Sequence, residues 1–273
     1  MAKHNYVSMY GVVRPGMIAN ASCALCPVAI IRSDRDYNGR QIMYQRKYST
    51  PIIVAEDPEM IDEIAGWAEN DIVLVSGFIA TKEVEKTGTC PVCQTVNKRS
   101  EAVINARSGG NRIYISPIFV KKLQSYPEQG QAYADVIRCA EISNKVFLLG
   151  NLTCEPIQGT YEDGKVYTRF QIAINRKYCP KGMQELMERT DFPWVYSYGD
   201  KARMDFQALH MGSRVFVDGA LQTRNYKETY KCKNCGNLFD VKGRTLEVLS
   251  YDTEYLANYT PLGIDGEIFD REE

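Results

Sequence analysis

Asn144-Lys-Val-Phe-Leu-Leu-Gly-Asn-Leu152 is the stretch that decides the fold of the second half of this 273-residue chain. Val146 and Leu148 recur at a spacing of two, which is the period of a half-buried β-strand. Phe170, Ile172 and Ile174 repeat that spacing and predict a second strand. Residues 192–198 alternate in the same way, and two more strands are predicted at 214–224 and 244–251.

One helix is predicted between the third and the fourth of these strands. Asp200 can cap its start, and Gly212 supplies a left-handed stop. Ala202, Phe206 and Leu209 share one helical face. Three strands, a helix and two strands predict a five-stranded Greek-key barrel, the OB-fold.

The first half of the chain repeats this pattern at a constant offset of 142 positions, as in 219 − 77. The matching pairs are Pro51 and Pro193, Gly77 and Gly219, Thr81 and Thr223, Cys90 and Cys232, and Cys93 and Cys235. Asp57 followed by Pro58 predicts the helix start of this copy, and Asn70 its left-handed stop. Chance agreement of common strand residues is the alternative to a repeat, but the register has no gap.

We therefore predict a mainly β protein with two tandem OB-fold barrels, each with one helix and a zinc-bound hairpin between its fourth and fifth strands. The predicted domains are 1–123, a linker at 124–142, a second OB-fold at 143–257 and an acidic tail at 258–273. The first residues lack the apolar core of a signal peptide, and no apolar run is long enough to span a membrane. A cytoplasmic protein without membrane association is expected.

The formal net charge of −1 argues against a uniformly basic nucleic-acid binder, but the charges are unevenly distributed. Residues 224–244 carry six basic side chains against Glu228 and Asp240, whereas residues 263–273 carry five acids against Arg271. A basic hairpin can bind phosphates despite a neutral total.

Three C-x-x-C pairs among the nine cysteines indicate metal sites, because a tetrahedral zinc ion needs four soft donors held by tight turns. Two structural zinc ions are predicted. The ligands of the first are Cys23, Cys26, Cys90 and Cys93, and those of the second are Cys154, Cys179, Cys232 and Cys235. Redox-active pairs and free buried thiols are the alternatives.

Phe192, Trp194, Tyr196 and Tyr198 alternate along one strand and must project from the same face. That face can bind nucleic-acid bases, or it can be the core of the domain with Val195 and Ser197 facing solvent. The strand pattern alone leaves both interpretations open.

The order Asn144-Lys-Val, Gly150-Asn-Leu, Arg189-Thr-Asp-Phe and Asp218-Gly-Ala-Leu-Gln-Thr-Arg resembles the bacterial single-stranded DNA-binding protein family. The resemblance implies an OB-fold that stacks bases on aromatic rings and a hairpin that helps to wrap the strand. Tyr178, Phe192, Tyr198 and Tyr226 fall at the family's DNA-contacting aromatic positions. The predicted DNA-binding residues are Arg169, Arg176, Lys177, Tyr178, Phe192, Trp194, Tyr196, Tyr198, Arg224, Tyr226, Lys227 and Lys231.

No catalytic constellation is present: His4 and His210 are the only histidines, and no phosphate-binding loop motif occurs. The leading hypothesis is a non-enzymatic single-stranded DNA-binding protein of DNA replication, repair or transfer. A scaffold or regulator that binds partner proteins, and a thiol oxidoreductase, are the alternatives. The resemblance also implies a homo-oligomer, in which a dimer supplies four OB-folds, and contacts with replication proteins.

Overall fold

The structure is a computed structural model that describes residues 4–32, 48–104, 111–161, 164–178 and 187–258. The strands of the first repeat are β1 (Asn5–Val13), β2 (Ile18–Ala19), β3 (Ala24–Ile31), β4 (Tyr48–Ser49), β5 (Ile52–Ala55), β6 (Asp71–Glu83), β7 (Thr87–Thr89), β8 (Val96–Lys98) and β9 (Asn111–Ser125). Those of the second repeat are β10 (Asn144–Leu152), β11 (Ile157–Thr160), β12 (Val166–Tyr178), β13 (Met187–Asp191), β14 (Trp194–Tyr198), β15 (Arg214–Lys231) and β16 (Leu238–Ala257). The helices are α1 (Pro58–Ala65), α2 (Arg99–Ala102), α3 (Gln129–Arg138), α4 (Ala140–Ser143) and α5 (Gly199–Ala208).

The chain forms two compact units. The C-terminal unit consists of Met1–Tyr6, Val146–Ala220 and Val248–Glu273, and the N-terminal unit of Val7–Lys145 and Leu221–Glu247. The hairpin at 221–247, which belongs to the second repeat in sequence, is therefore compact with the first repeat. In the described part of the chain, every helix is too short or too polar to cross a membrane.

Five strands of the first repeat pair in a closed circuit. β1 pairs with β3, β3 with β5, β5 with β9, β9 with β6, and β6 again with β1. Only the β5–β9 pairing is parallel within this circuit. The inward side chains that fill it include Met9, Ile30, Ile53 and Ile79, none of which is exposed.

The second repeat closes the same circuit with β10, β12, β14, β16 and β15. The β14–β16 pairing is again the parallel one, and α5 lies between β14 and β15 as α1 lies between β5 and β6. Leu148, Phe170 and Ile172 are fully buried, as the spacing of two predicted. This connectivity confirms the prediction of a mainly β chain with two OB-folds.

The helix ends follow the predicted signals only in part. Asp57 caps α1 by accepting hydrogen bonds from the N–H groups of Glu59 and Met60. Asn70 and Gly212 are left-handed, with φ 72° and φ 90°, but neither is the stop that was predicted, because α1 already ends at Ala65 and α5 at Ala208. The prediction of Asp200 as the cap of α5 was wrong, because this helix begins one residue earlier, at Gly199, and its cap position is Tyr198.

The matched glycines Gly77 and Gly219 lie where the strand backbones approach most closely. A Cβ atom at Gly77 would overlap the carbonyl oxygen of Ser116, and one at Gly219 would overlap that of Leu249. Backbone oxygens in paired strands cannot move aside as a flexible side chain can. This requirement explains why both repeats carry glycine at the same position.

Gly219→Ala is expected to lower the free energy of unfolding by about 1–3 kcal/mol, because the added methyl group forces β15 and β16 apart. Thermal unfolding followed by circular dichroism measures the loss. Gly130→Ala is the matched control, since Gly130 lies in α3 with open space around it and alanine favours a helix. Equal stability of the two variants would contradict the prediction.

Candidate nucleic-acid interface and cysteine cluster

The aromatic residues of β14 lie on the side of the strand opposite to the core. Val195 and Ser197 are fully buried, whereas Trp194 and Tyr198 are partly exposed. The alternative in which the rings form the core is therefore wrong for this strand. Tyr196 shares the outer face but is only 4% exposed, so its ring is covered by its neighbours.

The neighbouring strand β12 extends this outer face. Tyr167 lies opposite Tyr198 in the antiparallel register, and Arg169 lies opposite Tyr196. The ring of Tyr161 is 4.8 Å from that of Tyr167 and 6.3 Å from that of Tyr198, with an interplanar angle of 27° to Tyr198. We name Tyr161, Tyr167, Trp194, Tyr196 and Tyr198 the aromatic face.

Tyr161, Tyr167 and Lys165 of this surface were not predicted from the sequence. The Nζ atom of Lys165 is 4.9 Å from the centre of the Tyr198 ring. Gly159 leaves room for the Tyr167 ring, because a Cβ at this position would come within 2.5 Å of the Tyr167 hydroxyl oxygen. The alternation of Tyr167 with Arg169 was visible in the sequence, but only the register of β12 against β14 places both beside Tyr198.

The surroundings of Arg169 differ from those of Arg176. The guanidinium carbon of Arg169 lies 5.0 Å from the centre of the Trp194 ring, and its Nε–H is buried without a hydrogen-bond acceptor in the described residues. Arg176 is 5% exposed, and its Nε donates to the buried carboxylate of Asp191. The assignment of Arg176 to phosphate binding was therefore wrong, since this ion pair belongs to the interior.

Three further residues that were predicted to bind DNA are Phe192, Lys177 and Tyr178. Phe192 is 36% exposed and lies between β13 and β14. Lys177 and Tyr178 end β12, but their side chains lie outside the described residues, as Cys179 does entirely.

The remaining four predicted DNA-binding residues lie on β15 in the N-terminal unit. Arg224 donates through Nε to Glu247 at 2.8 Å, and Lys227 forms a surface ion pair with Asp240 at 2.8 Å. Lys231 is exposed. The ring of Tyr226 lies beneath the Nζ atom of Lys86, which is 4.3 Å from its centre.

Four cysteines of the N-terminal unit converge at one point. The Sγ atoms of Cys90, Cys93, Cys232 and Cys235 all lie within 4.8 Å of one another. The separations are 3.7 Å from Cys90 to Cys235 and 3.5 Å from Cys93 to Cys232. We name this group the cysteine cluster.

Each C-x-x-C pair of the cysteine cluster lies in its own tight turn, and the two turns are of the same type. The N–H of Cys90 donates to the carbonyl of Thr95, and that of Cys232 donates to the carbonyl of Asn237, at 2.9 and 2.8 Å. The residue after the second cysteine is left-handed in both turns, with φ 57° at Gln94 and φ 70° at Gly236. The two turns therefore present their thiols in equivalent ways.

The grouping of the cysteines differs from the two predicted ligand sets. The cluster takes one pair from each repeat, and Cys23, Cys26 and Cys154 are not part of it. Cys26 is a core residue of β3 with no exposed surface, and burial raises the pKa of its thiol to about 12. A strand side chain that faces the core cannot also turn toward a hairpin outside it.

The donor set of the cysteine cluster fits a tetrahedral zinc ion. Four thiolates at a Zn–S distance of about 2.3 Å lie about 3.8 Å apart, close to the shorter Sγ separations here. The hydroxyl and the N–H of Thr95 lower the pKa of Cys93 to about 5, and the N–H of Cys235 lowers the pKa of Cys232. The pKa of Cys235 is raised to about 12, because its hydrogen bond with Cys93, burial and the other thiols outweigh the N–H of Asn237. The side-chain amide of Asn97 points its Nδ2 at the Cys232 sulfur at 3.6 Å, as polar groups around metal ligands do.

Comparisons with known proteins agree with this geometry. The model of the "Single-strand binding protein family" matches residues 143–235. The wild-type single-stranded DNA binding protein from Thermus aquaticus has 16% sequence identity and a TM-score of 0.56, over 95% of this chain and 96% of that chain. A variant of the same protein with a deletion and a substitution has 16% identity and a TM-score of 0.57, over 96% and 98% of the two chains.

These structural likenesses show the fold over nearly the whole chain, including both repeats. The family match covers β12 and β14, which carry most of the aromatic face. Within the second repeat, residues 143–235 are similar to the single-strand binding protein family.

Proposed function

We propose that this protein binds single-stranded DNA without catalysing a reaction, and that it acts in DNA replication, repair or transfer. One observation carries the proposal: β12 and β14 turn aromatic rings outward on the face opposite to their fully buried residues. Rings on an outer face can stack on bases irrespective of base identity. The name of the matched family and of the similar Thermus aquaticus structures supports the same ligand.

Cations beside the rings supply the contacts that a DNA backbone requires. Lys165 and Arg169 lie over Tyr198 and Trp194, so a base that stacks on either ring displaces a cation toward the flanking phosphates. The unpaired Nε–H of Arg169 is then free to donate to a phosphate oxygen. A net charge of −1 does not oppose such local binding.

We also propose that the cysteine cluster holds one structural zinc ion. The four thiolates would fill all the positions of a tetrahedral ion and would leave none for water or a substrate. The ion would keep the turns at Cys90–Cys93 and Cys232–Cys235 together. A reducing compartment such as the cytoplasm is part of the proposal, because the ligands must remain thiolates.

The proposed assembly is a homo-oligomer in which a dimer supplies four OB-folds. Contacts with replication proteins are part of the same proposal. Sedimentation of the full chain at several concentrations tests the assembly, and a monomer at micromolar concentration would contradict it.

Trp194→Ala is expected to weaken the binding of oligo-dT by about 1–3 kcal/mol, or roughly 5- to 150-fold, because one stacking surface is lost. The anisotropy of a fluorescein-labelled oligonucleotide measures the affinity. The fluorescence of the wild-type protein gives a second readout, since Trp67 is only 4% exposed and a change on binding reports mainly on Trp194.

Phe119→Ala is the matched control, because Phe119 is 46% exposed on β9 and lies outside the aromatic face. It should bind oligo-dT as the wild type does. The proposal fails if the wild type does not bind oligo-dT at low salt, or if Trp194→Ala and Phe119→Ala have equal affinities.

A further inference from the structure

The thiols of the cysteine cluster make contacts between its two turns. Cys90 and Cys93 lie in one turn, and Cys232 and Cys235 in the other. The Sγ atoms of Cys90 and Cys235 are 3.7 Å apart, and those of Cys93 and Cys232 are 3.5 Å apart. Both separations exceed an S–S bond length of about 2.05 Å by less than about 2 Å. The geometry therefore offers two disulfide pairings, each of which links one turn to the other.

Each of these two pairs combines a buried thiol with one that solvent can reach. Cys90 and Cys232 are 0% and 2% exposed, and they pack with Tyr230 in an apolar core cluster. Cys235 is exposed and Cys93 is partly exposed. A small oxidant from solvent therefore reaches one sulfur of each pair first, and the buried sulfur beside it is placed to react second.

The side-chain amide of Asn97 holds the two turns together. Asn97 is fully buried, and its Nδ2 donates to the carbonyl of Thr95 in the first turn at 2.8 Å. Its Oδ1 accepts a hydrogen bond from the N–H of Lys233 in the second turn at 2.9 Å. Neither of these two contacts uses a sulfur atom, so the release of a metal ion leaves both in place. The sulfurs of the two turns therefore stay near one another when they bind no ion.

We propose that the cysteine cluster is also a redox-sensitive site, in which a peroxide converts the four thiolates into the disulfides Cys90–Cys235 and Cys93–Cys232 and releases the metal ion. This inference rests on the proposed structural zinc ion, and it adds a second, metal-free state of the same two turns. A disulfide sulfur is no longer a thiolate and does not hold zinc. In a reducing compartment such disulfides are transient, as is usual for redox-sensing thiols.

The oxidation of each pair consumes one molecule of peroxide. The accessible thiolate attacks one peroxide oxygen, the O–O bond breaks, and a sulfenic acid and a hydroxide ion form. The buried thiolate then attacks the oxidised sulfur, the S–O bond breaks, and a second hydroxide leaves as the S–S bond forms. The pair loses two electrons to the peroxide, and the two hydroxide ions take up protons from solvent to become water.

Peptide mapping of the oxidised wild-type chain tests the pairing. The purified protein is treated with a small excess of hydrogen peroxide over two molecules per chain, alkylated, and digested with trypsin without a reductant. Lys233 lies between Cys232 and Cys235, so cleavage there places these two cysteines on separate peptides. Peptide 87–98, which carries the other two cysteines, should be recovered joined to both of them, with a loss of four hydrogen atoms in all.

Fragmentation of the joined peptides between Cys90 and Cys93 assigns the partner of each, and Cys90 should carry Cys235. Cys23→Ser is the matched control, because its thiol lies outside the cysteine cluster, and it should give the same map. The inference is overturned if peroxide joins Cys232 to Cys235 within their own turn, or if peptide 87–98 is recovered unlinked.

Release of the metal is measured in the same reaction with a coloured zinc chelator. One zinc ion per chain should appear as the disulfides form, and a phosphine reductant with added zinc should restore the starting metal content. Disulfides that form while the zinc stays bound would overturn the coupling. A purified chain without zinc overturns the structural zinc ion itself, whereas the peptide map still decides the pairing. The binding of oligo-dT and its loss in Trp194→Ala test the proposed DNA binding separately.

Discussion

Cys232→Ser is expected to release the metal from the cysteine cluster and to destabilise the hairpin at 221–247. Structural zinc contributes about 10–16 kcal/mol in small zinc-finger peptides, so the loss of one of four thiolates should cost several kcal/mol of that binding free energy. The metal content of the purified chain, measured by mass spectrometry after exchange against a weak chelator, should fall from one zinc ion toward none. Proteolysis near Lys231 and Lys233 should become faster.

The other cysteines provide controls that separate the two ways of grouping the ligands. Cys23→Ser and Cys154→Ser should retain the zinc ion, because neither thiol belongs to the cysteine cluster. If the ligands were the sets predicted from the sequence, Cys23→Ser would instead lose a zinc ion. Loss of zinc from Cys23→Ser, or its retention in Cys232→Ser, would therefore contradict the cluster as a metal site.

Asp191→Ala is expected to lower the free energy of unfolding of the C-terminal unit by about 3–5 kcal/mol, because it leaves a buried guanidinium without its partner. Asp191 has no exposed surface, and Arg176 is 5% exposed. Arg189 cannot substitute for the lost charge, since it is itself a cation, with Nε 3.9 Å from the Asp191 carboxylate. Urea unfolding followed by Trp194 fluorescence in a Trp67→Phe background measures the change.

Asp200→Ala provides the surface control for this buried ion pair. Asp200 pairs with Arg203 at 2.9 Å, but the two side chains are 80% and 61% exposed. Its removal should cost less than about 1 kcal/mol. Replacement of both buried partners, as in Arg176→Met with Asp191→Leu, should recover most of the stability that Asp191→Ala loses. A small effect of Asp191→Ala alone would show that Arg176 reaches solvent.

The repeat, the helix cap and the strand periodicity could be predicted from the sequence, because each depends on the order of residues within a short segment. The offset of 142 correctly paired Gly77 with Gly219, and both meet a backbone oxygen. Asp57 capped α1 as its side chain predicted. The spacing of two also placed Val195 and Trp194 on opposite faces of one strand, but only the structure shows that Val195 faces the core.

Contacts between distant strands could not be read in the same way. Arg176 was assigned to phosphate binding because it is basic, and only the β12–β13 pairing reveals that Asp191 holds it. Tyr161 joins the aromatic face through β11, a strand that the sequence did not predict. Tyr226 matches a stacking position by resemblance, yet Lys86 from the other repeat covers its ring.

The division of the metal ligands between the repeats has a consequence for biosynthesis. Cys90 and Cys93 leave the ribosome well before Cys232 and Cys235. A nascent chain that ends after the first repeat therefore has only two of the four thiols of the cysteine cluster. Bringing the two C-x-x-C pairs together closes a long loop of chain, which costs conformational entropy. The proposed ion can offset this cost only after Cys232 and Cys235 have been synthesised. The proposed metal site can therefore form only after Cys232 and Cys235 have been synthesised, and a fragment that ends before β15 should not bind the ion there.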